Sequence, residues 1–294
     1  MAKNIIVVTG GAGFVGSNLI SRLVKFNNVK LISIDDYSSG SRLNHINNQN
    51  IKYIKAHTKD IGKILDKYKK KIKTIFHFGE FARIYQSFKK FDQCYLSNTL
   101  GSKEVFSFCL KNKIHLIYSA TSASLGNMGN DKNLSPYAFS KSKNLELLEN
   151  LKIWFGFKYE VIYFYNVYGP RQISVGDMAT VIGIFENQTL NRKKLTVVKP
   201  GTQKRRFTHI DDTINVCLEA WKTRKNRHYS ISSKESYSII EVAKMFGGKI
   251  KLLPERQGER FESALRNNNL SNTVYKRYGR KDLKNYIKNF ISYL

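Results

Sequence analysis

A short apolar run that meets a glycine-rich turn near the N-terminus constrains the fold more than any other stretch. Residues 5–9 read Ile-Ile-Val-Val-Thr and predict a buried strand, and residues 10–16 continue as Gly-Gly-Ala-Gly-Phe-Val-Gly before a helical apolar pattern. Gly10 can adopt backbone angles that a side chain forbids, and Gly13 lets the main chain approach a phosphate. Gly16 lets the helix pack close to the strand. The stretch therefore predicts a strand, a tight turn and the start of a helix.

An acidic residue follows the turn at an informative distance. The apolar run 31–34 ends at Asp35, about 20 residues beyond the turn, where a carboxylate accepts hydrogen bonds from the ribose of a dinucleotide. The phosphates are expected at the helix N-terminus, where unpaired N–H groups and the helix dipole favour negative charge. A carboxylate repels a 2′-phosphate, so the pattern favours NAD over NADP. An ordinary glycine turn is the alternative, and this context disfavours it.

Further cofactor candidates lie at the carboxyl ends of predicted strands, where ligands of open parallel sheets bind. Asp60 and Ile61 follow a third strand, and we expect this carboxylate and apolar residue to contact adenine. Phe78 and Gly79 follow the fourth strand, at the edge where the nicotinamide half is expected. Around the turn itself, the expected contacts are Gly10, Gly13, Phe14, Val15, Gly16, Asp35 and Asp36.

Predicted strands and helices alternate along the first part of the chain. This is typical of an α/β fold with a doubly wound parallel sheet of the Rossmann type. Beyond about residue 172 the periodicity breaks into short pieces, as expected of a smaller C-terminal α/β lobe. The predicted domains are an NAD-binding domain over 1–165 with a returning segment over about 207–232, and a substrate-binding lobe over 166–206 and 233–294.

Composition narrows the class of protein. The chain has 294 residues, 41% of them hydrophobic, and can bury a full core. No apolar run approaches the ~20 residues of a membrane span, and the N-terminus enters a strand rather than a signal peptide, so we expect a soluble cytoplasmic protein. The three cysteines are widely spaced and the six histidines show no metal-ligand spacing, so we expect reduced thiols and no metal site.

The net charge of +28 raises the alternative of nucleic-acid binding, because a dense positive field attracts any polyanion. The lysines are dispersed, however, and the run over 67–73 is typical of the solvated end of a helix. No known nucleic-acid-binding motif accompanies the charge. Nucleic acid is therefore not the expected partner.

Two side chains with acid–base potential lie one helical turn apart. Tyr137 and Lys141 fall on a helix predicted to begin at Pro136, so both project from one face. A tyrosine has a pKa near ~10, and a neighbouring cation lowers this pKa by stabilising the phenolate. Thr121 follows the fifth strand and is expected to hydrogen-bond the same substrate oxygen. These three residues are the predicted catalytic group.

Several motifs, taken together, carry a family resemblance over essentially the whole chain. They are the turn from Thr9 to Gly16, Asp35, Asp60-Ile61, Asn98, Tyr137 with Lys141, Asn166-Val167-Tyr168-Gly169-Pro170-Arg171, Arg205 through Asp212, and Arg256 with Gly258-Glu259. The chain resembles the extended short-chain dehydrogenase/reductase family, specifically its nucleotide-sugar epimerases and dehydratases. The resemblance implies NAD as the cofactor and a nucleotide sugar of the UDP-glucose type as the substrate.

The resemblance also implies roles for individual residues. Tyr137 would be the base, Lys141 would anchor the nicotinamide ribose and tune Tyr137, and Thr121 would replace the more usual serine. Asn98 would belong to the cofactor site. The residues that would contact the substrate are Thr121, Ser122, Asn166, Arg205 and Arg256, with Asn166 and Arg256 at the nucleotide diphosphate.

The two positions after Thr121 separate the reactions of such enzymes. The resemblance implies Asp-Glu there in 4,6-dehydratases, which need an acid and a base to eliminate water, and a glutamate in decarboxylases. This chain has Ser122 and Ala123. The leading hypothesis is therefore a 4-epimerase. A 4,6-dehydratase, a decarboxylase, a 4-keto reductase, an NAD-bound scaffold and a polyanion-binding protein remain as alternatives.

Two charged residues depart from the family pattern. Glu80 stands where many relatives carry a small apolar residue, and Arg83 follows it near the expected site. Either they recognise an unusual substrate, or they pair with each other at the rim.

The resemblance further implies a homodimer that pairs through the helices over 92–110 and 137–154. Phe106, Leu145 and Leu148 are candidates for the shared faces. Burial of each side chain within its own subunit is the alternative.

Overall fold

The computed structural model describes residues 4–125, 132–258 and 280–294. The strands are β1 (Asn4–Thr9), β2 (Val29–Asp35), β3 (Ile51–Lys55), β4 (Ile72–His77), β5 (His115–Thr121), β6 (Tyr159–Phe164), β7 (Val167–Tyr168), β8 (Leu195–Val198), β9 (Lys204–Arg206), β10 (Thr208–His209), β11 (His228–Ser230), β12 (Ser236–Ser238) and β13 (Ile250–Leu253). The helices are α1 (Phe14–Leu23), α2 (Ile61–Leu65), α3 (Ile84–Lys89), α4 (Phe91–Tyr95), α5 (Ser102–Lys111), α6 (Pro136–Phe155), α7 (Val181–Leu190), α8 (Ile210–Thr223), α9 (Ile239–Met245) and α10 (Leu283–Ser292).

One parallel sheet dominates the described part of the chain. Its seven strands lie in the order β11-β6-β5-β4-β1-β2-β3, so β1 is paired on both sides. Val8 of β1, for example, lies opposite Ser33 of β2 and Phe76 of β4. The order reverses at β1, which is the topology of a doubly wound fold. This confirms the predicted Rossmann-type α/β architecture.

Each face of the sheet has its own layer of helices, because successive side chains of a strand point to opposite faces. Ile5 and Val7 belong to a core cluster that includes residues of α2, α5 and α6. Ile6 and Val8 belong to a second cluster that includes residues of α1 and α8. The carboxyl ends of the strands remain between the two layers, and they form the edge at which a ligand is expected.

The elements after β6 divide between this sheet and a smaller lobe. Helix α8 packs on α1, and β11 pairs with β6 at the edge of the sheet. Helices α7, α9 and α10 share a separate core cluster with β8. Within this lobe β13 pairs in parallel with β8, and β12 pairs antiparallel to β9. The predicted lobe boundaries remain a prediction.

The run over 92–110, predicted as one helix, is interrupted in the structure. A π-helical turn over Leu96–Gly101 separates α4 from α5. Within this turn the Asn98 carboxamide accepts a hydrogen bond from Phe81 N at 2.6 Å and donates to Phe81 O at 3.0 Å. The wider turn lets Asn98 reach a loop that is distant in sequence. Such π turns commonly occur at functional sites.

Two of the three residues proposed for a shared dimer face lie inside the subunit. Phe106 and Leu148 are fully buried in one core cluster, and Leu145 packs against the same cluster, so the interpretation of Phe106 and Leu148 as interface residues is wrong. A different set of apolar side chains is exposed on α4, the π turn and the start of α6. Phe91, Tyr95, Leu100 and Phe139 are between 42% and 53% exposed, and we call them the α4–α6 patch.

Other sequence-based expectations concern membranes, metals and thiols. Within residues 4–125, 132–258 and 280–294, no helix has the length and apolar character needed to cross a bilayer. The same residues hold no group of three or more His, Cys, Asp or Glu side chains placed to bind a metal ion. Cys94, Cys109 and Cys217 are buried free thiols.

The close packing of the glycine turn makes a testable difference between two helical glycines. A Cβ at Gly16 would lie 2.1 Å from Gly10 O, which is backbone and cannot move aside, whereas a Cβ at Gly62 in α2 would meet nothing within 4 Å. We expect Gly16→Ala to lower the free energy of unfolding by about 1–3 kcal/mol and to reduce NAD retention. Gly62→Ala is expected to raise that free energy by up to about 1 kcal/mol.

Urea denaturation monitored by circular dichroism measures both variants. Equal stability of Gly16→Ala and the unchanged chain would contradict the close approach of helix and turn.

Candidate active site

A cavity of about 600 Å³ lies at the carboxyl edge of the parallel sheet and extends to residues of the C-terminal lobe. It collects most of the residues that the sequence predicted for cofactor, catalysis and substrate. Those that line it are Gly10, Gly13, Phe14, Val15, Gly16, Asp35, Asp36, Phe78, Gly79, Thr121, Ser122, Tyr137, Lys141, Asn166, Arg205 and Arg256.

Three predicted cofactor residues lie outside the described lining of this cavity. Asp60 ends a 3₁₀ turn before α2, and Ile61 is fully buried in the core cluster beneath the sheet. The Asn98 carboxamide is fully buried and bonded to Phe81 and Ser140. Their contact with a cofactor therefore remains a prediction. Glu259, one residue of the family resemblance, lies outside the described residues.

The glycine turn has the geometry that a phosphate cradle requires. Gly10 has a φ of +68°, and a Cβ there would lie 2.8 Å from the backbone of Phe78 and Gly79. Helix α1 begins after Gly13, which has no side chain to cap the first N–H groups, and its first turn contains no acidic residue. Residues 13–16 line the cavity, and the N–H groups of this first turn can bind the oxygens of a dinucleotide phosphate.

Asp35 is held rigidly beside the turn. Its Oδ2 accepts a hydrogen bond from Ala12 N at 2.9 Å, and its Oδ1 accepts one from Tyr37 N at 2.8 Å. Burial raises the pKa of Asp35, and the backbone bonds oppose that shift. Each oxygen keeps acceptor capacity for a ribose hydroxyl. The cradle and this carboxylate together fit a dinucleotide without a 2′-phosphate.

The catalytic candidates reach the cavity from two elements. Ser135 caps α6 by accepting a hydrogen bond from Ala138 N at 3.1 Å, and Pro136 occupies the first turn. This start places Tyr137 and Lys141 one turn apart on the wall of the cavity. Thr121 ends β5, and its hydroxyl oxygen accepts a hydrogen bond from Ala123 N at 3.2 Å. The Thr121 proton can therefore be donated to a bound oxygen.

Lys141 has a partner that the sequence interpretation missed. Its Nζ forms an ion pair with Glu80 Oε2 and donates a hydrogen bond to Ser119 O. The exposed fractions of the Lys141 and Glu80 side chains are 4% and 2%. Burial lowers the pKa of Lys141, and the Glu80 carboxylate opposes that shift. Glu80 thus belongs to the interior of the site, and of the two alternatives for Glu80 and Arg83, a pair at the rim is wrong.

Arg83 lines the cavity and connects the loop after β4 to the segment before α7. Its guanidinium donates to Ala82 O at 2.7 Å and to Met178 O, in the segment before α7. Its Nε is buried without a hydrogen-bond partner among the described residues. No motif in the sequence around Met178 could have indicated this contact, because it depends on tertiary packing. Recognition of an unusual substrate by Arg83 remains a hypothesis.

The substrate candidates lie on the lobe side of the cavity. Asn166 has a φ of +36°, and its Nδ2 donates to Arg206 O at 2.8 Å. Arg205 is almost fully buried, and the Arg256 guanidinium lies over the Tyr85 ring at 5.1 Å. Two arginines in one cavity complement the charge of a nucleotide diphosphate. Neither Tyr85 nor Asp177, which also line the cavity, carried a recognisable sequence signal.

Comparison with curated proteins finds both an epimerase and a dehydratase. A putative UDP-glucose 4-epimerase of Methanocaldococcus jannaschii is 29% identical over 252 residues, which are 81% of this chain and 80% of that protein. A dTDP-D-glucose 4,6-dehydratase of Dictyostelium discoideum is 27% identical over 267 residues, or 81% of this chain. The chain spans only 60% of the length of the Dictyostelium protein.

Solved structures share the fold over nearly the whole chain. UDP-glucuronic acid 4-epimerase from Bacillus cereus, in complex with UDP-glucuronic acid and NAD, superposes with a TM-score of 0.84 at 25% identity, covering 98% of each chain. The model of the NAD dependent epimerase/dehydratase family matches residues 6–232, well over half of the sequence. These findings confirm the resemblance and NAD as the cofactor. The chain belongs to the NAD-dependent epimerase/dehydratase family.

Proposed function

We propose that the chain is an NAD-dependent 4-epimerase of a nucleotide-linked hexose of the UDP-glucose/UDP-galactose type. The observation that carries the proposal is a cavity wall with Tyr137 and Thr121 in place and no acid directly after Thr121. The 4-epimerases among its relatives support the assignment.

Three side chains account for the proton chemistry. Tyr137 removes the proton of the sugar 4-hydroxyl as a general base, while the Thr121 hydroxyl donates a hydrogen bond to the same oxygen. Bound NAD supplies reversible oxidation and reduction at carbon 4. Lys141 places a positive charge one helical turn from the phenol and stabilises the phenolate. Tyr137 returns the proton when the 4-keto sugar is reduced from its opposite face.

Inversion requires the sugar to turn while its nucleotide stays bound. Asn166, Arg205 and Arg256 hold the nucleotide diphosphate on the lobe side of the cavity. The keto sugar, free of strong contacts, then rotates between the two faces presented to the cofactor. Enclosure by the lobe excludes water from the oxidised intermediate.

The residues after Thr121 favour epimerisation over elimination. A dehydratase needs a proton donor and a base near carbons 5 and 6 of the sugar, but Ser122 and Ala123 cannot titrate in the required range. Both side chains are almost fully buried beside the cavity. Elimination is therefore not the preferred assignment. Because one relative is a dehydratase, experiment has to exclude this reaction.

Replacement of Tyr137 by phenylalanine tests the base. We expect Tyr137→Phe to slow interconversion of UDP-glucose and UDP-galactose by at least ~100-fold, because the 4-hydroxyl loses its proton acceptor. Nuclear magnetic resonance of the sugar protons measures the rate. Tyr293→Phe, which changes an exposed tyrosine after α10, is the matched control and is expected to leave the rate unchanged.

The same assay separates the competing reactions. Purified protein that retains NAD and needs no added cofactor supports epimerisation, and loss of water detected by mass spectrometry would instead indicate a dehydratase. Consumption of reduced cofactor would indicate a reductase. Interconversion that survives Tyr137→Phe unchanged would overturn the mechanism.

A homodimer through the α4–α6 patch is the second part of the proposal. Helix α4 packs against α6, and the rings of Phe91 and Tyr95 stack at 5.9 Å between centroids, so the patch is continuous across these elements. Contiguous exposed apolar side chains commonly mark interaction surfaces. A second copy of the chain would bury the same patch on both subunits.

Light scattering tests the dimer. The unchanged chain is expected at about twice its mass of 34.0 kDa. Phe91→Glu combined with Phe139→Glu is expected to give the mass of one chain, since buried charges disfavour the interface. Tyr293→Glu, which changes an exposed residue after α10, is the control and is expected to leave the mass doubled. A single-chain mass for the unchanged protein would refute pairing.

A further inference from the structure

A chain of buried hydrogen bonds begins at the glycine turn. Thr9, the last residue of β1, accepts hydrogen bonds at its hydroxyl oxygen from Phe78 N at 3.1 Å and Gly79 N at 3.0 Å. Because both oxygen lone pairs are then engaged, the Thr9 proton points to His77 Nδ1, at 2.8 Å. His77 Nδ1 is therefore an acceptor.

The direction of the remaining bonds follows from this tautomer. Burial lowers the pKa of His77 to about 4, so its ring is neutral and carries its proton on Nε2. His77 Nε2 donates to Ser102 Oγ at 3.0 Å, and Ser102 Oγ donates to Glu80 Oε1 at 2.8 Å. Every donor in the chain points toward the Glu80 carboxylate.

Glu80 receives further donors from the two elements around Lys141. Tyr118 OH lies 3.1 Å and Asn144 Nδ2 lies 3.2 Å from Glu80 Oε1, while Lys141 Nζ bonds to Oε2. Four donors thus surround a carboxylate that is almost fully excluded from water. These donors satisfy both oxygens of the buried carboxylate.

Lys141 depends on that charge. Without Glu80, its described neighbours are the carbonyl of Ser119 and the face of the Tyr118 ring, 4.6 Å from Nζ. Neither carries a full negative charge that could balance a buried ammonium.

We propose that Glu80 is the positioning residue of this site: its carboxylate holds Lys141 as an ammonium one helical turn from Tyr137, and the chain from Thr9 through His77 and Ser102 holds the carboxylate. The inference rests on the proposed role of Tyr137 as base. It assigns a function to a residue that the family resemblance left unexplained.

The other titratable groups around the pair leave Glu80 as its source of negative charge. His77 on β4 is neutral, and burial raises the pKa of Cys94 on α4 to about 11. Burial also raises the pKa of Tyr118 on β5. Arg83, in the loop after β4, is a cation. Loss of the Glu80 charge is therefore expected to lower the pKa of Lys141, and loss of the ammonium is expected in turn to raise the pKa of Tyr137, because the phenolate loses its neighbouring cation.

Glu80→Gln tests the proposal through the pH dependence of turnover. Activity requires Tyr137 deprotonated and Lys141 protonated, so the acid limb of the profile is expected to move to higher pH and the alkaline limb to lower pH, each by about one unit or more. Glu104→Gln is the matched control: it removes the carboxylate of α5 that pairs with the exposed Lys103, so the profile stays in place. Glu80→Asp keeps the charge and is expected to restore most of the pH profile of the unchanged chain. An unmoved profile in Glu80→Gln would overturn the proposal.

A second readout needs no turnover and separates this inference from the proposed function. Ultraviolet titration of tyrosinate, taken as the difference between each protein and its Tyr137→Phe form, reports the pKa of Tyr137 directly. Glu80→Gln is expected to raise that pKa even if the chain catalyses another reaction. No change would refute the role of Glu80, whatever the activity assays show.

A stability comparison tests the proposal in the case that Glu80→Gln folds poorly. Glu80→Gln leaves the Lys141 amine buried without its ion-pair partner. Glu80→Gln combined with Lys141→Met removes the amine as well. The double variant is expected to unfold at a higher temperature than Glu80→Gln alone. A double variant no more stable than the single one would overturn the proposal.

Discussion

The close contact between the glycine turn and the end of β4 is the constraint on which the site depends. Gly10 and Gly79 approach so closely that a Cβ on either would lie within 3 Å of the other's backbone. This contact presents the start of α1 to a dinucleotide phosphate. It also fixes the loop that carries Glu80, because Thr9 Oγ1 accepts the Gly79 N–H. One piece of backbone packing therefore positions both the candidate phosphate cradle and the loop whose Glu80 pairs with Lys141.

The sequence predicted those parts whose causes are local. The alternation of apolar runs indicated the parallel sheet, and the spacing from the glycines to Asp35 indicated the cofactor. Ser135 and Pro136 predicted the start of α6, which brings Tyr137 and Lys141 to the cavity. In each case the side chains that determine the structure lie within one or two elements of each other.

The features that escaped prediction have causes that are distant along the chain. The π turn forms around a bond from Asn98 to Phe81, 17 residues away. Lys141 pairs with Glu80, which lies 61 residues away in the sequence, and Arg83 donates to the Met178 carbonyl, 95 residues away. The unusual acid at position 80 was visible in the sequence, but only the fold identifies its partner. Phe106 and Leu148 were misassigned to a dimer interface, because apolar periodicity does not distinguish a helix face buried in the subunit core from one shared between subunits.

A neutral, buried His77 also has a consequence for the whole fold. In the unfolded chain its imidazole takes up a proton near the ordinary pKa of 6.5, whereas in the folded chain it does so only near 4. Between these values the unfolded state binds more protons, so the free energy of unfolding falls as the pH is lowered through this range. It rises again as the pH is raised back to the upper value. The ring in the middle of the hydrogen-bond chain to Glu80 is thereby a point of acid lability for the protein.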